Sequence, residues 1–191
     1  LFAFIGPTVF QLFATGITTG CNSIVSSGTM VSKINFPLEA LVFSSMAQAI
    51  FEFAVKCVLI LVFFVAYRYI PPLAGVLFPL AVLPIVLLTL GLSMILSLVN
   101  GVLRDTANVV GLVTTFLMFL TPVLYPGEGV KKVFFKLNPL SALVNAPRDI
   151  LIHGYIKEPL DFFWATVFSI FVFLLFWRIF YIAKTKIPER L

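Results

Sequence analysis

Ser26-Ser27-Gly28-Thr29-Met30-Val31-Ser32-Lys33-Ile34-Asn35-Phe36-Pro37 is a polar island between two long apolar runs, and its flanks decide the fold. A second island, Arg104-Asp105, separates two more such runs. Charge that persists between apolar runs of this length faces water, a partner or a pathway. The runs themselves are roughly Phe2–Gly20, Leu38–Ala66, Leu73–Val99, Thr106–Tyr125 and Phe162–Ala183. A spanning helix needs about 20 mainly apolar residues, so each can cross a bilayer.

Composition leads to the same class. Hydrophobic residues make up 61% of the 191 and charged residues 11%, against about 25% charged in soluble domains. The runs are continuous rather than alternating, which excludes the strand pattern of a membrane barrel. The expectation is an all-α integral membrane protein, one domain over 1–191. The chain starts inside an apolar run without an initiator Met, and an absent upstream helix and span are expected. Basic residues near span ends divide six against six, so charge alone does not orient the chain. The formal charge of +5 needs only lipid headgroups, not nucleic acid.

Cys21 and Cys57 fall at opposite ends of their helices, too far apart for a disulfide. Gly16-x-x-x-Gly20 allows close helix approach, within the bundle or between copies. Tyr67 and Tyr69 flank Arg68 at an expected membrane interface. Pro79 and Pro84 should cap or bend the third run. The connection 126–161 is neither polar enough for a floppy loop nor apolar enough to span. In it Lys131, Lys132 and Lys136 interleave with apolar residues. After Asn138-Pro139 a helical stripe runs through Leu143, Val144, Pro147, Ile150 and Leu151. Asn145, Asp149 and His153 lie off that stripe. Two amphipathic helices that dip into the membrane and return are predicted, a form tolerated where the backbone is buried against protein or water.

Enzymatic chemistry finds little material. The one histidine, His153, sits in the amphipathic segment, where a solvated imidazole is the simpler reading. No metal-ligand spacing, Gly-x-Ser-x-Gly elbow or phosphate-cradling Gly-x-x-x-x-Gly-Lys-Ser/Thr loop is present. No catalytic residue and no metal ligand is assigned, and any ATP must bind another chain. Glu52 and Lys56 stand four apart in the order that favours a helical ion pair, although Lys56 can instead snorkel outward. Most of the 22 Phe residues must face lipid or pack. Phe10, Phe13, Phe116 and Phe119 are candidates for lining a conduit.

The ordered set Met30-Val31-Ser32-Lys33-Ile34-Asn35-Phe36-Pro37, Arg104-Asp105, Thr121-Pro122-Val123-Leu124-Tyr125, Asn138-Pro139-Leu140 and Arg148 resembles type-2 ABC exporter permeases. It is most similar to those for polysaccharide and polyol-phosphate polymers such as O-antigen, capsule or teichoic acid. The resemblance implies six spans per subunit, a second copy of the permease, and two copies of a separate ABC ATPase that uses ATP and magnesium. It implies a bacterial or archaeal cytoplasmic membrane. It makes 26–37 a cytoplasmic coupling loop with Lys33, Phe36 and Pro37, joined there by Arg104 and Asp105. It makes 126–161 extracytoplasmic re-entrant gate helices and assigns Pro122, Tyr125, Asn138, Pro139 and Arg148 to the gate region. Ser32 stands where relatives often carry a second basic residue, and Thr121 where many have Ser.

Two alternatives stay open at this stage. One is a type-2 permease for a small amphiphile, a drug or lipid. The other is an ATP-independent transporter or membrane enzyme, which would need a buried titratable cluster or repeated broken helices.

Overall fold

The computed structural model describes residues 2–27, 37–121 and 138–183. The apolar runs become helices: α1 (Phe2–Ser26), α2 (Leu38–Ala66), α3 (Phe78–Val102), α4 (Thr106–Leu120), α5 (Pro139–His153) and α6 (Pro159–Ala183). A short 3₁₀ helix, Leu73–Leu77, leads into α3. No strand occurs among the described residues. Leu38–Ala66, Leu73–Val102 and Pro159–Ala183 are each long and apolar enough to cross a membrane, so the chain is an all-α, multi-pass membrane protein.

The other two runs differ from expectation in instructive ways. α1 does not stop at Gly20 but continues to Ser26. The hydroxyls of Ser23 and Ser26 donate to the carbonyls of Gly20 and Ser23, so polar residues that look like a loop are accommodated within the helix. α4 ends at Leu120, after 15 residues. At 1.5 Å per residue it rises about 22 Å, short of a roughly 30 Å hydrocarbon core.

α1 and α3 form the spine. α1 also packs on α2, α4 and α5, while α3 also packs on α5 and α6. Gly16 and Gly20 make the close approach possible. A Cβ on Gly16 would come within 2.6 Å of Thr89 Cγ2, and one on Gly20 within 2.5 Å of Ser93. The Ser93 hydroxyl donates to the Gly16 carbonyl at 3.1 Å across this seam. The Gly-x-x-x-Gly pair therefore serves packing inside the protomer. Pro79 lies in the first turn of α3 and Pro84 in its interior, where its ring removes one ladder bond.

Two small apolar clusters mark the bundle's ends. Ile24, Leu38, Val42, Leu98 and Phe180 close one end. Ile5, Ile60, Phe64 and Leu151 close the other, with Tyr69 packed against them. Tyr69 is not the wet interfacial anchor its position suggested: its hydroxyl donates to the Ile152 carbonyl at 2.7 Å and pins the α2–α3 turn to α5. Tyr67 is exposed, as expected. Both cysteines are free thiols.

Candidate functional site: the two polar ends of the bundle

The first end gathers what the sequence scatters. The close of α1, the start of α2, the latter part of α3 and the last residues of α6 meet around the Ile24–Phe180 cluster, and the Arg104-Asp105 corner follows at the end of α3. Pro37 is exposed and caps α2 with extended backbone (φ −66°, ψ 115°). Glu39 follows in the first turn, where the helix dipole favours an acid. Lys33 and Phe36 lie outside the described residues.

Asn100, which drew no attention in the sequence, holds this end together. Its side chain is 1% exposed. Its amide nitrogen donates to the Cys21 carbonyl at 3.0 Å and to Asn22 Oδ1 at 3.2 Å. Its Oδ1 accepts from the Ala107 backbone N–H at 3.2 Å, satisfying one of the orphan donors of α4. One amide thus links α1, α3 and α4 beneath the corner. Thr106 Oγ1 closes the corner with a 2.7 Å bond to the Leu103 carbonyl. Arg104 and Asp105 are both exposed, and Asp105 makes no side-chain cap. Its carboxylate projects into solvent from a rigid turn.

The opposite end is built from α5. Asn138 is its N-cap, with Oδ1 accepting from Leu140 N–H at 3.1 Å and Pro139 in the first turn. Asn138 Nδ2 reaches Thr121 Oγ1 at 3.3 Å, tying the start of α5 to the end of α4. Thr121 is fully buried. This contact explains why a hydroxyl, from Ser or Thr, suits that position. Pro122 and Tyr125 lie outside the described residues, as does 126–137.

The apolar stripe of α5 is buried as expected, but off that stripe Asp149 is buried too, while Asn145 is half-buried. Arg148 is 5% exposed and Asp149 4%, because α1, α3, α6 and the 3₁₀ helix surround α5. The amphipathic expectation that placed Asp149 on a wet face is corrected here. Burial pushes the Asp149 carboxyl above its ordinary range. Arg148, Lys157 with its backbone N–H, and His153 pull the other way. Burial also lowers the Arg148 guanidinium, offset in part by Asp149. His153, exposed at the end of the helix, stands 3.8 Å from Asp149 Oδ1.

The four candidate phenylalanines separate into two kinds. Phe10 (3% exposed) and Phe13 (1%) belong to the central core. Phe116 and Phe119 point outward from α4, both at least 70% exposed. Glu52 and Lys56, both half-buried on α2, do not close to an ion pair within 4.0 Å. The long lysine stem leaves its head free to move toward water.

Residues 1–152 match the model of the ABC-2 type transporter family. The O-antigen export system permease protein RfbA of Myxococcus xanthus is 31% identical over 154 residues, 78% of this chain and 59% of that protein. Two Klebsiella pneumoniae proteins of the same name are 27% and 25% identical, over 81% and 82% of this chain and 61% and 62% of their own lengths. The chain thus spans about three-fifths of the curated relatives it matches. The match runs through both islands, the Asn100 corner and α5, so the residues that organise the two ends are those that lie inside the family's domain. The chain belongs to the ABC-2 type transporter family.

Proposed function

We propose that this chain is the membrane-spanning subunit of an ATP-driven exporter. Its cargo would be a lipid-linked polysaccharide or polyol-phosphate polymer, moved across the bacterial or archaeal cytoplasmic membrane. The observation that carries this reading is the assembly of the island end. The start of α2 after Pro37 packs through Leu38 on the same end cluster as Ile24 and Leu98, and the Arg104-Asp105 corner follows α3 at that end on a floor fixed by Asn100. A separate ABC ATPase, with ATP and magnesium, docks there. Nucleotide-dependent movement enters α2 and α4 through Pro37 and Asp105. Such coupling requires that the ATPase states favour different permease conformations.

A count of five spans adds α1 and the shorter α4 to the three long apolar helices. α1 follows α3 from the Ile5 end to the Ile24 end and must cross wherever α3 does. α5 fits the returning limb of a re-entrant pair: it starts level with the end of the short α4 and finishes at the far end beside Tyr69. A second permease copy completes the transporter, and the outward Phe116 and Phe119 suit such a contact.

The test is reconstitution of the full-length permease with its ATPase and a lipid-linked polymer in vesicles. ATP-dependent translocation is expected. Reversing charge together at Lys33 and Asp105 should lower transport roughly tenfold, in the range of ordinary coupling energies. Transport that proceeds without any ATPase, or that ignores both reversals, would end this reading.

A further inference from the structure

The largest departure from lipid-compatible chemistry lies on neither polar end but along the side of the bundle, between α1 and α2. A cavity of about 490 Å³ opens there. Thr18, Thr19 and Asn22 of α1 line it together with Ser44, Ser45 and Gln48 of α2. Asn22, Ser44 and Gln48 are exposed. The antiparallel register brings the rows together, since Gly20 faces Ser45 and Gly16 faces Met46 and Ala49. On α1 the polar row continues at helical spacing from Gln11 to Ser26, a rise of roughly 22 Å that takes it most of the way through a bilayer. Its mouth, at Ser26 and Ser27, is the island end.

Polar side chains at this depth face a bundle interior or a water-filled cavity rather than hydrocarbon. The cleft therefore belongs to a wet path. Part of its hydrogen-bonding capacity is already used within the helices. The Thr18 hydroxyl donates to the Ala14 carbonyl at 2.8 Å, Thr19 to Thr15 at 2.7 Å and Ser45 to Val42 at 2.7 Å. Asn22 spends a donor on the Thr18 carbonyl at 3.1 Å. With their protons committed inside the helices, these groups turn oxygen lone pairs toward the cleft. Among the described lining residues none carries a charge. Ser44 and Gln48 add hydroxyl and amide N–H donors, so the row as a whole is neutral and both accepts and donates. Such a row suits a neutral, hydroxyl-rich ligand, and it holds none of the Arg or Lys that a phosphodiester calls for.

Resting on the exporter reading above, we propose that the α1–α2 cleft is the sugar-contacting wall of the export path. Its ligand is a neutral, hydroxyl-rich glycan rather than a polyol-phosphate chain. Weak, repeated hydrogen bonds from a row without charge let such a chain bind and advance.

The test uses the full-length permease with its ATPase in proteoliposomes, in a Cys21→Ala, Cys57→Ala background. Thr18→Cys and Gln48→Cys should react with a membrane-impermeant maleimide, and Phe51→Cys on the outer face of α2 should not. Millimolar maltoheptaose should slow the reaction at Thr18→Cys several-fold, whereas a glycerol-phosphate oligomer of equal length should leave it unchanged. Independently of the cysteine background, Thr18→Val should cut glycan export about fivefold with ATP hydrolysis intact, the scale of one lost hydrogen bond, and Thr18→Ser should restore it. An unreactive Thr18→Cys, or a Thr18→Val protein that exports normally, overturns the wet wall. Equal protection by both oligomers overturns the choice of neutral glycan. A wild-type transporter that moves neither polymer defeats the exporter reading instead, and does so without reference to the labelling pattern.

Discussion

The chain contains the dipeptide Arg-Asp twice, and the fold treats the two copies in opposite ways. Arg104-Asp105 sits in a turn with both side chains in solvent. Arg148-Asp149 sits inside α5 with both side chains buried among four other elements. The first pair requires a rigid floor, which Asn100 provides, and is free to meet another molecule. The second contributes to the bundle itself. Identical sequence is thus a presentation device at one end and a structural element at the other, and the difference lies in what surrounds the helix.

The largest break in this symmetry is expected at Arg148. Arg148→Ala takes a buried side chain out of the bundle and leaves Asp149 without its neighbouring cation, so it should sharply lower the detergent-solubilised melting temperature. Asp149 then gives the pH signature. Its folded pKa is raised by burial, so its contribution to stability is fully present below the unfolded carboxylate value of about 4 and is lost as pH rises through the higher folded pKa. Wild-type melting temperature should fall across that window, and Asp149→Asn should flatten the dependence. A slope unchanged by Asp149→Asn would remove Asp149 from the account.

The next effect belongs to the floor of the other pair. Asn100→Leu leaves the Ala107 N–H without its buried partner, at a cost of about 1–3 kcal/mol, and takes a second donor from the Cys21 carbonyl. Stability and ATP-driven transport should fall together, because the corner loses its frame. Asn100→Ser should recover only part, being too short to reach both helices. A variant that melts lower yet transports normally would separate the frame from the corner's role.

Thr121 sharpens the comparison on a smaller scale. Thr121→Val removes the acceptor for Asn138 Nδ2, while Thr121→Ser keeps it. The expected loss is about 1 kcal/mol for the valine and near zero for the serine. Equal melting temperatures for the two would show that the link between α4 and α5 rests on packing alone.

The sequence made some of this legible and hid the rest for definite reasons. α2 was readable to the residue because Pro37 stops helix on one side and Tyr67-Arg68 turns on the other. The end of α1 was not, since Asn22, Ser23 and Ser26 resemble a loop until their hydrogen bonds return to the helix. Asn138-Pro139 announced α5 by its cap chemistry. The burial of Asp149 could not be seen, because an apolar stripe reports one contact face and α5 has contacts all round. Phe10 and Phe13 could not be told from Phe116 and Phe119 by type, only by which helix face meets α3. Asn100 left a single trace, a polar residue at the end of an apolar run, with nothing to show that three elements converge on it.

The smallest effect on stability is expected at the exposed pair, and there it is the smallness that informs. Arg104→Ala and Asp105→Ala remove no buried contact, so each should change stability by no more than about 0.5 kcal/mol. Asp105 adds only its favourable place at the start of α4. If the pair exists to meet an ATPase, transport and ATPase co-purification should fall several-fold for Asp105→Ala while the melting curve stays in place. The same substitution at Asp149 should do the reverse, shifting the melt and leaving co-purification of the folded fraction intact. A melt that moves as far for Asp105→Ala as for Asp149→Ala would mean that both copies of the dipeptide serve the fold, and the division between a presenting end and a structural end would collapse.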